Sequence, residues 1–442
     1  MPMSKLLAVR EFEIIICNPE YKSSSEYRYL DEVHFRELEH FIKGYVSSDD
    51  GADAYDFMKI GSKRYIGDTI SLTNYVGIIE LPSGFQIEVL PKISFDAQDL
   101  DYKKTKRVFL DMLCCLKEFE GKSFSNAALN ADRMNLYEVF INMFLWETRN
   151  LVKKGMKSSY INISDNLKYY KGKLNVGMHI KENLVHKERF FMNYDEYQIN
   201  CPENRLVKST LFKLKKVSRS SENQKEIRQL LGAFEFVDES SNYVKDFSKV
   251  TIDRNNKNYE ILLQWAKIFL FNKSFTTFSG DKLGKAILFP MEKVFEGFVT
   301  NWVKKIFEEE SKYNLTVSSQ HRGFYLFDDP RKFRLRPDIV VEGYKDGKKK
   351  LIILDTKWKR LNRDPSINYG IAQADMYQMY AYAKKYHTQE IWLLYPWYED
   401  IKDIGDIYYN AVEDESLEVN IRVFFVDVAN YRESITELFE KI

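Results

Sequence analysis

The residues that most often betray a function are scarce in this chain. Its 442 residues include four cysteines, six histidines and ten prolines. Cys17, Cys114, Cys115 and Cys201 follow no zinc-ligand spacing, and the adjacent Cys114-Cys115 pair lies in a helical pattern where core filling is the simpler role. The histidines form no HExxH or similar cluster. No apolar run approaches the roughly 18 residues of a membrane helix, and no N-terminal apolar region resembles a signal peptide. A soluble protein of a reducing, cytoplasmic compartment is expected, with no membrane partner. Charge of one sign is also missing: 66 Lys and Arg stand against 65 Asp and Glu. Any affinity for a polyanion must therefore come from local patches. Gly280-Asp281-Lys282-Leu283-Gly284-Lys285-Ala286 comes near a phosphate-binding loop. It is one residue short between the glycines, however, and Ala286 replaces the hydroxyl residue. A loop leading into a helix N-terminus is expected there, with no nucleotide bound by this chain.

What is present concentrates near residues 336–357. Arg336-Pro337-Asp338 opens an apolar run, Ile339-Val340-Val341, and Leu351-Ile352-Ile353-Leu354 leads into Asp355-Thr356-Lys357. Between them Asp346-Gly347 is the dipeptide of a two-residue hairpin turn. With that turn Lys345 pairs with Lys348, and counting back sets Asp338 opposite Asp355, with Lys357 on the same side. Opposed carboxylates weaken a hairpin unless something lies between them. Mg²⁺, which takes one or two carboxylates plus water and phosphate oxygens, suits that place, and Mn²⁺ could substitute. The lysine can orient a water or hold a phosphate. The arrangement resembles the PD-(D/E)xK nuclease motif. The plain alternative is a surface hairpin with ordinary charges, so the flanks decide.

Leu288 to Glu309 reads as an amphipathic helix with Met291, Phe295, Phe298, Val299, Trp302 and Ile306 as its stripe. Glu296, at the edge of that stripe, is either a further metal ligand or a solvated glutamate, and Glu292 is a weaker candidate. Asn368 to His387 reads as a second helix, with Asp375, Gln378 and Tyr382 on one face. Gln378-Met379-Tyr380-Ala381-Tyr382 resembles the Gln-x-x-x-Tyr element of nucleases related to the RecB nuclease domain; such a glutamine can bond a water or a phosphate. Ile391-Trp392-Leu393-Leu394 and Ile421 to Val428 are expected strands. Helix, hairpin, helix, strand, strand matches the αβββαβ core of that superfamily. Two basic patches, Lys348-Lys349-Lys350 and Lys357, Lys359, Arg360, Arg363, are candidate DNA contacts, the first also readable as a solvated turn.

The rest divides by pattern. Arg10 to Cys17 is a strand run; Leu30 to Tyr45 is helical, with Val33, Leu38, Phe41 and Ile42 as core positions. Phe57 to Ile93 suggests a small antiparallel sheet or partial barrel. Leu100–Phe119 and Asn135–Lys154 read as long helices, 158–180 as turns with short strands, and 203–270 as helical, with a connector at 217–223. The expected fold is α+β and multidomain: a β-rich N-terminal domain (1–98), a central mainly helical region (99–280) and a C-terminal PD-(D/E)xK domain (281–442).

Further phrases carry a closer resemblance. Phe85-Gln86-Ile87-Glu88-Val89-Leu90-Pro91-Lys92-Ile93 resembles the Ile-x-(Ile/Val)-Leu-Pro-Lys element of the McrC family, the nuclease subunit of McrBC-type modification-dependent restriction systems. Tyr170-Lys171-Gly172-Lys173-Leu174, Asp195-Glu196-Tyr197 and the run Glu203 to Leu211 resemble its central motifs. Val294–Val299 and Ala374–Tyr382 resemble its helices around the hairpin. The resemblance implies a Mg²⁺-dependent endodeoxyribonuclease with Asp338, Asp355, Lys357 and Gln378 as catalytic residues. It also implies an McrB-like AAA+ GTPase or ATPase ring as partner, docked mainly through residues before about 280, and modified double-stranded DNA as substrate. Two other functions stay open: a stand-alone repair nuclease of the same core, and a scaffold that activates an NTPase and keeps a vestigial site.

Overall fold

The computed structural model describes residues 6–46, 57–93, 102–116, 134–254, 256–271, 285–309, 315–345, 348–401, 404, 406–411 and 418–442. The chain forms two compact units, one made of residues 1–132 with 288–442 and the other of 133–287.

The first unit begins with two small sheets. Strand β1 (Leu6–Arg10) is followed after a turn by β2 (Ile14–Ile16), β3 (Tyr27–Tyr29), helix α1 (Glu32–Val46), and strands β4 (Met58–Lys63), β5 (Gly67–Leu72), β6 (Tyr75–Glu80) and β7 (Gln86–Leu90). The single strand expected over Arg10–Cys17 is thus two. Phe12 takes a left-handed φ of 64° and Glu13 N bonds Arg10 O, which breaks the run. One sheet runs β3-β2-β5-β4 and the other contains β1-β7-β6, and each includes a parallel pair. The strands of residues 57–93, expected as a small antiparallel sheet or partial barrel, do pair antiparallel, β4 with β5 and β6 with β7, but are divided between these two sheets. Leu38, Phe41 and Ile42 of α1 are fully buried, but Val33 is exposed and Phe35 takes its place. Two residues are 200° on a helix, so both cannot face the same core. Helix α2 (Tyr102–Leu113) then buries Val108, Phe109 and Met112; the expected helix end near Phe119 lies outside the described residues.

The second unit is mainly helical around a three-stranded antiparallel ribbon. Helix α3 (Leu136–Lys154) leads to β8 (Ser159–Leu167), β9 (Lys173–Leu174), α4 (Val176–Asn183) and β10 (Phe190–Gln198). Gly172, before β9, has φ +80°, and a Cβ there would strike the backbone of Asn193 and Tyr194. Helices α5 (Pro202–Val217), α6 (Ser221–Ala233), α7 (Tyr243–Lys249) and α8 (Tyr259–Phe271) complete the unit. Its core packs Phe140 against Trp265 with ring centroids 5.6 Å apart. The connector expected at 217–223 is fixed by buried Glu138, which accepts bonds from the Ser218 hydroxyl (2.7 Å) and Asn223 Nδ2 (2.8 Å).

The chain re-enters the first unit along β11 (Lys285–Pro290). Lys285 and Ala286, expected at a helix N-terminus, are therefore strand, and residues 280–284 lie outside the described set. Helix α9 begins at Met291 rather than Leu288, because a residue before proline avoids the helical region and Pro290 closes the strand. Its buried stripe is Met291, Val294, Phe295, Phe298, Val299, Val303 and Phe307; Trp302 and Ile306 lie one position aside and are half-buried. There follow β12 (Thr316–Ser319), a separate two-stranded ribbon of β13 (Tyr325–Asp328) and β14 (Arg331–Arg334), β15 (Ile339–Lys345), β16 (Lys348–Thr356), helix α10 (Gln373–Tyr386), β17 (Glu390–Pro396), β18 (Tyr408–Ala411), β19 (Val419–Val426) and α11 (Tyr431–Lys441). The six-stranded sheet has the order β12-β15-β16-β17-β19-β18. Its first three strands are antiparallel neighbours, and α10 is the crossover that lets β17 run parallel to β16. Residues 365–370 form a short 3-10 segment, with Asn368 and Tyr369 at positive φ, so α10 starts five residues later than expected. The last long strand spans 419–426 rather than 421–428.

Candidate active site

Strands β15 and β16, each with a neighbour on both sides, are buried at the end that carries the site. Ile339, Val340, Val341, Ile352, Ile353 and Leu354 are all under 4% exposed. The register pairs Lys345 with Lys348 and Ile339 with Leu354. This is the pairing of a two-residue connection, although Asp346 and Gly347 lie outside the described residues. One step beyond the ladder, Asp338 stands across from Asp355. Both mark the edge of the sheet where β16 and its parallel neighbour β17 end, the edge at which open sheets of this kind place ligands.

Burying a carboxylate costs several kcal/mol unless it is neutralised or paired. Asp355 is 1% exposed. Burial first, and then the charge of Asp338, push its carboxyl up to about 7, with Lys357 pulling the other way. Burial likewise raises Asp338, against two bonds on its Oδ2 from Thr356, the backbone N–H at 2.8 Å and the hydroxyl at 2.7 Å. Lys357 Nζ lies 2.6 Å from Asp355 Oδ2 and 3.9 Å from Asp375 Oδ1. Burial disfavours its charge, but Asp355, Asp375 and Asp338 outweigh it and hold the ammonium above its usual range.

Gln378 joins this group from α10. Its Oε1 accepts from Lys357 Nζ at 3.2 Å, its Nε2 donates to the Tyr382 hydroxyl at 2.7 Å, and that hydroxyl donates to Arg336 O at 3.0 Å. The relay fixes the amide so that its carbonyl faces the lysine. Burial, with Asp355 behind it, keeps the Tyr382 phenol protonated. Asp355, Lys357 and Gln378 are therefore brought together, with Asp338 facing them. Glu296 stands one link away: Gln320 Nε2 donates to Glu296 Oε1 at 3.0 Å, and Gln320 N to Asp338 O at 2.8 Å. Glu292 is exposed. Among the described residues no group of three or more His, Cys, Asp or Glu side chains is arranged to hold a metal ion.

A hard divalent cation can use what is there. Asp355 Oδ2 is buried and, despite the ammonium beside it, accepts no hydrogen bond of regular geometry. The bonds to Asp338 both fall on Oδ2. Two carboxylates with oxygen left over, both raised chiefly by burial, are a donor set of the kind Mg²⁺ takes alongside water and phosphate.

Two further residues, Thr356 and Glu11, escape the sequence reading, which places Asp375 on the Gln378 face without a role. Asp375, 8% exposed, binds Lys359 Nζ at 2.8 Å and helps hold Lys357; its place on the Gln378 face was the available signal. Thr356 orients Asp338, which the D-x-K spacing alone conceals. Glu11, from the turn after β1, accepts two bonds of 3.0 Å from the Trp358 indole N–H and one of 2.8 Å from Lys92 N. Nothing in the sequence links positions so far apart. Phe295 packs on the same indole at 5.2 Å, so Trp358 is gripped from two elements next to the lysine.

The basic patches divide. The side chains of Lys348 and Lys349 lie outside the described residues, and Lys350 contacts Ile442 O at 3.3 Å and Glu390 at 3.8 Å. It is five residues from Asp355, roughly 17 Å along a strand, so the first patch is not beside the site as its sequence position suggested. Lys359 is near it, and Arg360 stacks over Tyr398 at 4.2 Å.

A family profile described as McrBC 5-methylcytosine restriction system component matches residues 70–396. No curated protein matches the sequence. A solved structure described as a refined half-complex from a tetradecameric assembly of Thermococcus gammatolerans McrB AAA+ hexamers with bound McrC contains a similar chain. It has a TM-score of 0.66 at 17% identity, covering 98% of this chain and 100% of that one. A chain from a cryo-EM structure of the Thermococcus gammatolerans McrBC complex gives 0.49 at 18% identity, over 70% and 89%. The likeness is one of fold.

Proposed function

The chain belongs to the McrBC family whose profile it matches, and on that premise we propose that it is the DNA endonuclease subunit of a modification-dependent restriction complex. The observation that carries this reading is the buried Asp355–Lys357 pair at the end of β16, opposite Asp338 and capped by Gln378. The order α9, β12, β15, β16, α10, β17 supports placing residues from Met291 onward among the PD-(D/E)xK nucleases.

Asp338 and Asp355 would hold Mg²⁺, or Mn²⁺ in its place, and the ion when bound supplies positive charge against that developing on the phosphodiester. The chain's own groups do the rest. Thr356 keeps Asp338 turned into the site. Lys357, held charged by three carboxylates, presents its ammonium to the scissile phosphate or to the attacking water. Gln378 and Tyr382 keep that ammonium from swinging away. The partner is an McrB-like AAA+ ring that hydrolyses GTP or ATP and selects modified duplex DNA.

The test is cleavage of methylated and unmethylated duplexes with Mg²⁺, with and without the ring. Wild type is expected to cut methylated DNA only with ring and nucleotide. Asp355→Asn and Lys357→Ala should lower cleavage by at least about a hundredfold, as loss of a group acting in the transition state does, while still stimulating the ring's NTPase. Cutting by Asp355→Asn at the wild-type rate would rule out the assignment. Unaided cutting by the wild type would favour a stand-alone nuclease.

A further inference from the structure

We infer that the β13–β14 ribbon is a DNA-gripping element that enters a groove of the duplex beside the scissile phosphate. The inference rests on the nuclease reading and gives the substrate its contact surface.

The ribbon is an insertion between β12 and β15 that adds nothing to the six-stranded sheet. Residues 322–336 hold five cations, Arg322, Arg331, Lys332, Arg334 and Arg336, against two carboxylates, Asp328 and Asp329. All five cations are exposed. Asp328 is already taken by Lys385 at 2.7 Å, and among the described residues Arg331 and Lys332 make no ion pair. In a chain with a net charge of +1 this is a local excess of positive charge.

Aromatic rings are interleaved with it. Phe327 is 55% and Phe333 73% exposed, their ring centroids 6.0 Å apart, and Phe333 is held at a left-handed φ of 56°. A bulky residue seldom keeps that conformation. A purely apolar patch would suit a protein partner, whereas flat rings among unpaired cations suit a polyanion that also offers flat faces. A two-stranded ribbon fits the major groove, which is about 12 Å wide.

Position and rigidity agree with that role. The Tyr382 hydroxyl bonds Arg336 O, His321 Nδ1 lies 3.0 Å from the Tyr386 hydroxyl, and Phe324 packs on Tyr386 at 4.4 Å. The ribbon is thus tied to the helix that carries Gln378. Arg334 is four residues before Asp338, so its backbone lies within about 14 Å of it. A duplex whose phosphate sits at the two aspartates meets the ribbon within half a helical turn, a turn being about 34 Å.

The experiment uses the full chain carrying Asp355→Asn, to separate binding from cutting, with a methylated duplex as probe over a salt series. Cleavage by the otherwise wild-type chain with its ring runs in parallel. Arg331→Ala/Lys332→Ala should weaken binding about tenfold or more and reduce the salt slope by about two, one for each phosphate left without its cation. Arg331→Lys/Lys332→Arg should restore both. Phe327→Ala/Phe333→Ala should weaken binding with the slope unchanged, and either pair should raise KM more than it lowers kcat. These side chains are exposed, so an unchanged melting temperature is expected and checks the fold. If the wild type cuts while both ribbon pairs bind and cut as it does, the ribbon assignment alone is overturned. If the wild type neither binds nor cuts, the nuclease reading falls with it. Loss of NTPase stimulation with DNA binding intact would make the ribbon a protein-docking surface and also overturn the inference.

Discussion

Glu11 is an ordinary residue in the sequence and an unusual one in the fold. It is 1% exposed, and burial pushes its carboxyl up to about 7, with the bonds from Lys92 N and Trp358 and the charges of Lys92 and Arg360 opposing. An acid whose folded pKa lies above its unfolded value favours folding fully while both states are protonated. That contribution is lost as pH rises from about 4.5 through about 7. A shift of this size corresponds to about 3 kcal/mol. Glu11→Gln is expected to flatten the stability profile over that window, measured by urea unfolding at half-unit pH steps. Tyr382→Phe removes one hydroxyl that both positions Gln378 and satisfies Arg336 O. It should cost about 1 kcal/mol of stability and lower kcat with KM nearly unchanged, read from steady-state cleavage beside thermal melts. The opposition of Asp338 and Asp355 was legible because the hairpin dipeptide fixes the count. Glu11 was not, since its partner Trp358 is reached only by folding.

At the scale of elements, α9 supports the chain just past β16, the strand that carries Asp355. Phe295 is fully buried and touches Trp358. Phe295→Ala should cost about 3–5 kcal/mol and depress cleavage more than it depresses ring stimulation; a denaturant midpoint and the two activities check it. Long periodic helices were readable, α9 and α10 among them, but their starts were not. Pro290 and the positive-φ pair Asn368 and Tyr369 moved those starts by three and five residues. Apolar periodicity continues through strand and turn alike, so it does not mark where a helix begins. The β13–β14 ribbon was missed for a different reason: two four-residue exposed strands bury too little to leave a pattern.

At the scale of the whole molecule, a cation held by the two aspartates would show in stability, with no catalysis needed to observe it. If the two aspartates hold Mg²⁺, the metal at a hundred times its Kd should stabilise the wild type by about 2.7 kcal/mol. It should leave Asp338→Asn/Asp355→Asn unmoved in a thermal shift assay. Equal shifts in both would place the ion elsewhere.

The first compact unit is also built from the two ends of the chain, with 155 residues between them. During synthesis residues 1–132 leave the ribosome first and cannot complete their core until 288–442 follow. At typical elongation rates of ~5–20 residues per second the delay is on the order of ten seconds. Through that interval the apolar faces that will be covered last are open, and Glu11 has no indole to receive. The nascent N-terminal segment is thus a natural client for chaperones. The protein's yield in a cell will depend on how well that wait is guarded, as well as on the stability of the finished fold.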